Sequence, residues 1–140
     1  MAMVDDAQQT PAEAAPFFAA LAGLACETVE AGQLDPAIGL PTAVTAMESA
    51  EALGYPSYKL TGTKALHALL TGEVERAIGL ARRAVETNDD RIGRADDLAT
   101  LARAHMADHD NRSARAAIAE AEKAVPWWPR VKATRARLDV

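Results

Sequence analysis

The feature that most constrains this chain is a pattern of small apolar residues that recurs at an interval of forty positions. The four residues AIGL occur at 37–40 and again at 77–80, and a further shift of forty places Ala117 and Ile118 beneath Ala77 and Ile78. In the second and third copies the shared apolar positions lie at offsets of 0, 3, 4, 7, 10 and 11. Those offsets follow one face of an α-helix, so the pattern predicts a repeated helix.

A second, weaker pattern precedes each copy and predicts another helix. It has three recurring slots, filled by Phe18, Tyr58 and Leu98, by Ala22, Gly62 and Ala102, and by Cys26, Leu66 and Met106. The chain therefore reads as three repeats of two helices, near 17–56, 57–96 and 97–136. A helix pair can bury its apolar stripe only against a neighbouring pair, so stacking is expected. Ala37, Ala77 and Ala117 recur at positions where they would permit close helix approach.

Residues that start and stop helices support this division. Asp35 before Pro36 is suited to cap a helix, and Gly72 separates the two helices of the second repeat. Pro41 should kink or split the helix that Pro36 begins. Residues 1–16 are polar and interrupted by two prolines, so they are predicted to form a flexible tail. Residues 17–140 are predicted to form a single all-α domain, with a short C-terminal capping helix over 130–140.

The repeats resemble the tetratricopeptide repeat (TPR), which has small residues and a Gly-like turn at set positions. The matching positions are Ala25, Gly32, Ala37 and Val44 in the first repeat, Ala65, Gly72, Ala77 and Ala84 in the second, and His105, Arg112, Ala117 and Ala124 in the third. Pro129 lies at the position where a repeat of this family often ends with a proline. The spacing of forty exceeds the usual thirty-four of the family, and most of its large aromatic positions are lost. Repeats of this length are similar to TPR-like domains of some large bacterial transcription regulators. HEAT-like or armadillo-like solenoids are the structural alternative.

The resemblance implies a right-handed α-solenoid that binds a peptide or a partner protein without catalysis. Leu66 and Met106 occupy a recurring first-helix slot of this groove, and no Asn and Lys set accompanies them. We therefore expect an apolar or helical ligand rather than a clamped C-terminal carboxylate. No catalytic residue, cofactor or metal site is predicted. Paired carboxylates such as Glu27 and Glu30 are interpreted as solvated helix faces, and Cys26 as a core residue.

The stretch VPWWPR at 125–130 holds both tryptophans. The favoured interpretation is that Trp127 and Trp128 cover the end of the solenoid together with the capping helix. The other interpretation is that one of them packs on the last helix pair while the second is exposed as an anchor for a partner or a homodimer. In the following helix three residues are predicted to face inward, Val131, Thr134 and Leu138, and four basic residues to lie in water, Arg130, Lys132, Arg135 and Arg137.

The alternative function is a small-molecule-sensing or accessory regulatory subunit. His105 and His109 lie four positions apart, so on a continuous helix they would share a face and could line a polar pocket or contribute to a metal site. No third ligand stands at a convincing spacing. The pair is therefore more simply interpreted as the exposed end of a helix, and both residues are kept as candidate partner contacts.

The distribution of charged residues argues against some classes of binding partner. The formal net charge is −5, and residues 1–58 hold eight acidic residues and no Lys or Arg. Residues 59–140 hold fifteen Lys or Arg and twelve acidic residues, without a concentrated basic stripe. Neither a nucleic-acid partner nor a membrane is expected. The start of the chain lacks the pattern of a signal peptide, and the single Cys excludes an intramolecular disulfide. A cytoplasmic location is expected.

Overall fold

All regular structure in the described part of the chain is helical. The computed structural model describes residues 11–140, with side chains from residue 13 onward. Seven α-helices follow one another within that part, α1 Pro11–Glu30, α2 Pro36–Ala52, α3 Thr61–Leu70, α4 Val74–Thr87, α5 Arg91–Ala107, α6 Asn111–Ala124 and α7 Pro129–Leu138, and a 3₁₀ turn, Ser57–Leu60, precedes α3. The predicted all-α class is confirmed.

The chain divides into two compact units, Met1–Thr63 and Lys64–Val140, where a single domain had been expected. In the first unit, α1 packs along α2, and the contact is built largely from small side chains. Its main cluster joins Ala22 of α1 to Ala46, Met47 and Ala50 of α2, and Leu60 completes it. Alanine lets two helix backbones approach closely, which explains how a core forms with few large residues.

The second unit has one larger core. Helix α5 packs against α4 and α6, and α7 contacts both α5 and α6. Its fully buried residues include Ile118, Val125 and Val131, which surround a group of alanines. Ala68 of α3, Ala77 of α4 and Ala104 of α5 form a smaller cluster beside this core. The second and third predicted helix pairs therefore correspond to α3 with α4 and to α5 with α6.

The predicted tail was too long, because α1 already begins at Pro11 and Ala15 is buried. Residues 1–10 of that prediction lie outside the described residues. Pro41 does not split its helix, since α2 runs without a break from Pro36 to Ala52. A proline near a helix start removes only one early hydrogen bond of the ladder, and the remaining turns keep theirs.

The two AIGL copies do not occupy equivalent positions, so that part of the repeat prediction is wrong. Ala37 is the second residue of α2 and is exposed, whereas Ala77 is the fourth residue of α4 and is fully buried. A displacement of two positions turns a side chain through about 200° and so onto the opposite face of a helix. Gly39 is correspondingly buried, and Gly79 is exposed.

The turns before α2, α4 and α6 have more in common than the two AIGL copies do. The N-cap residues of α2, α4 and α6 are Asp35, Glu73 and Asp110, which lie 38 and 37 positions apart. A residue with left-handed backbone precedes each cap, namely Gly32 with φ 74°, Gly72 with φ 84° and His109 with φ 60°. Such a residue commonly ends an α-helix, and glycine adopts it without steric penalty. The N-caps of these three helices therefore recur at an interval slightly below forty.

Candidate interaction surface

Helix α1 is apolar on both of its faces, which is unusual for a helix at a protein surface. Its inner face is buried and includes Ala22, Ala25 and Cys26. Its outer face carries Phe17, Leu21 and Leu24, whose exposed fractions are 69%, 43% and 62%. These three residues, spaced by four and three positions, follow one line along the helix. We call them the α1 stripe.

No charged residue interrupts this part of the helix. Residues 14–26 contain neither an acid nor a base, and the exposed positions beside the stripe are Pro16 and Ala20. Helix α4 shows the ordinary alternative, because its buried Ala77, Ala81 and Ala84 are opposed by an exposed face rich in charge. That exposed face includes Glu75, Arg76, Arg82, Arg83 and Glu86. The outer face of α1 therefore resembles the buried face of a helix more than a solvated one.

Acidic residues flank the α1 stripe. Glu13 is exposed near one end of the helix, and Glu27 and Glu30 are half-buried near the other. Within the described part of the first unit, Lys59 is the single Lys or Arg.

The predicted groove residues do not form an exposed apolar slot. Leu66 is 4% exposed, and Met106 is half-buried against the core of the second unit. Cys26, in the same slot, is fully buried, and burial raises the pKa of its thiol to about 11, with a smaller contribution from nearby Glu27 and Glu30. The slot is mainly core, which corrects the expectation that Leu66 contacts a partner.

His105 and His109 do not share a face, because α5 ends at Ala107 between them. His105 is 5% exposed, and its Nδ1 has no hydrogen-bond partner and lies 4.0 Å from Oδ2 of Asp110. Burial lowers the pKa of His105, Arg82 adds to the effect, and Asp110 and Asp108 oppose it. His109 is exposed in the following turn. The two side chains therefore do not line one helix face, which corrects that expectation.

The two tryptophans divide as one of the two interpretations predicted. Trp128 packs against the core of the second unit, while Trp127 is 56% exposed. Their rings meet edge to face with centroids 5.9 Å apart. Trp127 thus remains an exposed aromatic side chain, although a single residue offers much less apolar surface than the α1 stripe.

Helix α7 is held by a polar network that the sequence did not reveal. Val131, Thr134 and Leu138 face inward as predicted. Arg130, however, does not lie in water. Its guanidinium donates to the backbone oxygen of Asp96 at 2.9 Å and to Oγ1 of Thr100 at 3.0 Å. A charged side chain that makes several hydrogen bonds can be kept partly out of water, and a hydropathy pattern does not show those bonds.

Two further buried polar groups belong to this network. Nε of Arg103 donates to Oγ1 of Thr134 at 2.8 Å. Asp97 is 8% exposed and accepts a hydrogen bond from Nδ2 of Asn88 at 3.0 Å. Burial raises the pKa of Asp97 to about 6 and Asp96 adds to this, while the bond from Asn88 and the charge of Arg130 oppose it. The bond of Arg103 joins α5 to α7, and the bond of Asp97 joins α5 to the segment that precedes it. We therefore interpret the network as structural.

Two classes of site find no support in the described residues. None of the described helices combines the length and the apolar character needed to cross a lipid bilayer. Among the side chains from residue 13 onward, no group of three or more His, Cys, Asp or Glu converges on a point where a metal ion could bind.

Compared with known proteins, the chain matches no family model, no curated protein and no solved structure. The TPR resemblance accordingly rests on the residue pattern alone. The repeat pattern assigns Phe18 to a recurring slot and gives no role to Phe17, so it does not predict the α1 stripe. The signal that could have revealed it is the run of thirteen uncharged residues at 14–26, which is too long and too uniformly apolar for a helix with one solvated face.

Proposed function

We propose that this protein is a non-catalytic interaction module of TPR-like type that binds a partner protein on its helical surface. The observation that carries the proposal is the exposed α1 stripe. Phe17 and Leu24 are each more than 60% exposed on a helix whose outer face has no charge between residues 14 and 26. Contiguous apolar surface of this kind marks interaction sites on soluble proteins, because leaving it in water is unfavourable.

The proposed class of function, protein binding without catalysis, is the one predicted from the sequence. The proposed contact surface is different, because it is the α1 stripe and not the groove. The groove slot of Leu66 and Met106 is mostly buried, whereas Phe17, Leu21 and Leu24 are available to a partner. Large side chains that protrude from a rigid helix lose little conformational freedom on binding, which makes them effective anchors. Trp127 is kept as a second, independent candidate anchor in the other unit.

Site-specific photo-crosslinking tests the proposal directly. Benzoylphenylalanine is introduced at Phe17, at Leu24 and, as a control, at the exposed Arg83 of α4. After irradiation in cells of the source organism, we expect positions 17 and 24 to capture the same protein and position 83 not to capture it. That protein is then purified and titrated against the wild type and against Phe17→Ser and Leu24→Ser, which should each weaken binding at least tenfold.

Two results would contradict the proposal. Capture of the same proteins from all three positions would indicate nonspecific contact. Unchanged affinity of the purified partner for the two serine variants would show that the stripe does not carry binding. Both variants alter exposed side chains, so their stability should stay within about 0.5 kcal/mol of the wild type, and a loss of binding would not reflect unfolding.

A further inference from the structure

We infer that the turn between α5 and α6 is an acid-sensitive latch, which is closed while the imidazole of His105 is neutral and opens when that imidazole takes up a proton. The inference is independent of the proposed function, because it concerns the second unit and not the α1 stripe. It rests on the position of His105, on the hydrogen bonds that hold the turn and on the charges that face the ring.

The ring of His105 lies where a positive charge is poorly accommodated. The residue is 5% exposed, and its Nδ1 has no hydrogen-bond partner among the described residues. Oδ2 of Asp110 lies 4.0 Å from Nδ1, which is beyond hydrogen-bonding distance. A neutral imidazole tolerates burial, whereas an imidazolium loses much of its hydration and has two N–H groups that both need acceptors. Protonation therefore creates a charged donor that the folded turn does not satisfy.

The residues beside the ring also hold the turn closed. The backbone oxygen of His105 accepts hydrogen bonds from the amides of Asp108 and Asp110 at 3.1 Å and 2.8 Å. Oδ1 of Asp110 accepts from the backbone N–H of Ser113 at 3.1 Å and so caps α6. If the carboxylate moved about 1 Å toward the ring to pair with an imidazolium, it would weaken this cap. A proton on the ring therefore disturbs either the end of α5 or the start of α6.

The charged groups that face the ring do not remove this cost. Burial lowers the pKa of His105 from the usual 6.5 of an imidazole, the like charge of Arg82 on α4 adds to the effect, and Asp110 and Asp108 oppose it. At the start of α6, Arg112 acts in turn on Asp110. Because the unfolded chain takes up the proton more readily, the stability of this unit is highest with the ring neutral. It is lost as the pH falls below about 6.5.

The other two helices near α5 contribute less. Helix α3 packs beside the end of α5 and carries Lys64 and His67, whose charges act on His105 less than that of Arg82 does. Helix α7 lies on the opposite side of α5. Arg103 donates a hydrogen bond to it, and two positions along a helix turn a side chain through about 200°. The charged residues of α7 therefore do not face the ring.

Hydrogen exchange in the full chain at pH 7.5 and pH 5.0 tests the latch. The amides of Asp108 and Asp110 report on the turn, since both bond to backbone oxygens of α5. Amides of α2, in the first unit, are the internal reference, and each rate is corrected for the intrinsic rate at that pH. One variant is His105→Gln, which stays neutral at both pH values. The matched control is His109→Asn, which changes the exposed histidine of the same turn and keeps a residue suited to positive φ.

Relative to His105→Gln, the protection of the two turn amides in the wild type should fall about fivefold between pH 7.5 and pH 5.0. The control His109→Asn should lose as much protection as the wild type. Asp97 titrates in the same range and has the opposite effect on stability. It is present in all three proteins, so its contribution cancels in the comparison.

A second pair of variants leaves the ring unchanged. Arg82 and Arg83 are exposed neighbours on α4, so replacing either should leave the fold intact. Arg82→Gln removes the like charge that acts on His105, and it should therefore raise the pKa of the ring and reduce the loss of protection at pH 5.0. Arg83→Gln should leave that loss unchanged.

Four results would overturn the latch. An NMR titration midpoint of His105 at or above 6.5 would show that the folded turn accommodates the charge. Equal pH dependence in the wild type and His105→Gln would show that another group controls the turn. A gain of protection at pH 5.0 that requires His105 would show that the proton tightens the turn. If His105→Gln does not fold, Arg82→Gln and Arg83→Gln decide, and equal losses of protection in these two would overturn the inference.

Discussion

The indole Nε1–H of Trp128 donates a hydrogen bond to Oδ1 of Asp96 across 2.7 Å. This bond joins the segment before α7 to the side of α5, and Nη1 of Arg130 lies 3.7 Å from the same carboxylate oxygen. Trp128 also packs on the core of the second unit. The residue thus combines apolar burial with a satisfied polar tip, which is the usual arrangement for a tryptophan held partly inside a protein.

The two tryptophans should contribute unequally to the stability of the protein. Trp128→Ala should lower the free energy of unfolding by about 2–4 kcal/mol, because it removes buried apolar area and leaves Asp96 with one partner fewer. Trp127→Ala, the matched control, should change it by less than about 1 kcal/mol, since Trp127 is 56% exposed. Urea titrations followed by far-UV circular dichroism measure both. Equal losses would show that the two side chains contribute alike.

Asp97 should give the second unit a stability that falls as the pH rises. Burial raises its pKa in the folded protein from the usual 3.8 of an aspartate to about 6. Its contribution to stability is therefore fully present below the unfolded pKa and is lost as the pH rises through about 6. Asp97→Asn should therefore match the wild type near pH 3.5 and become more stable by about 3 kcal/mol at pH 7.5. His105 titrates in both proteins and cancels in the difference. A difference that stays constant between these pH values would contradict the assignment.

The two AIGL glycines should respond to alanine in opposite directions. A Cβ on Gly39 would collide with a methyl group of Val29 and lie 2.8 Å from Cδ2 of Leu34, whereas a Cβ on Gly79 would meet nothing within 4 Å. Gly79→Ala should stabilise the protein by about 0.5–1 kcal/mol through helix propensity alone. Gly39→Ala should destabilise it by about 1–2 kcal/mol, because a β-branched Val in a helix has little rotamer freedom to yield. Thermal unfolding of both variants is the measurement, and stabilisation by both would show that Val29 and Leu34 yield readily.

Cys26 should be inert to thiol reagents in the folded protein. It is fully buried, and burial raises its pKa to about 11, so little thiolate forms at pH 8. Ellman's reagent should label the wild type only after denaturation. Leu24→Cys, which places a second thiol on the α1 stripe, should react with one equivalent within minutes. Rapid labelling of the wild type would show that α1 opens away from α2.

Several elements could be predicted because local residue chemistry determines them. Asp35 caps α2 by accepting from the backbone N–H of Ala37 at 2.9 Å, and Asp90 caps α5 by accepting from that of Gly93 at 2.7 Å. Gly72 ends α3 with positive φ, as the sequence indicated. Such features depend on a few neighbouring residues, so the sequence specifies them directly.

Other features depended on which face of each helix the rest of the chain covers. The identity of AIGL at two places predicted equivalent burial, but the different starting points of α2 and α4 place the copies on opposite faces. The beginning of α1 was recoverable, because Pro11 and Pro16 repeat the spacing of Pro36 and Pro41 inside a predicted helix. The hydrogen bonds of Arg130 and the burial of His105 could not be predicted from the sequence, because both arise from tertiary contacts.

The uncharged run at 14–26 also bears on how the protein is made. Cys26 emerges from the ribosome before Met47 and Leu60 do, and these later residues belong to the cluster that covers the inner face of α1. At translation rates of about 5–20 residues per second, the interval lasts roughly 2–7 s. During that time both sides of the nascent segment are open to water, and after it the outer side still is. Co-expression with a partner of the kind proposed above should therefore raise the soluble yield.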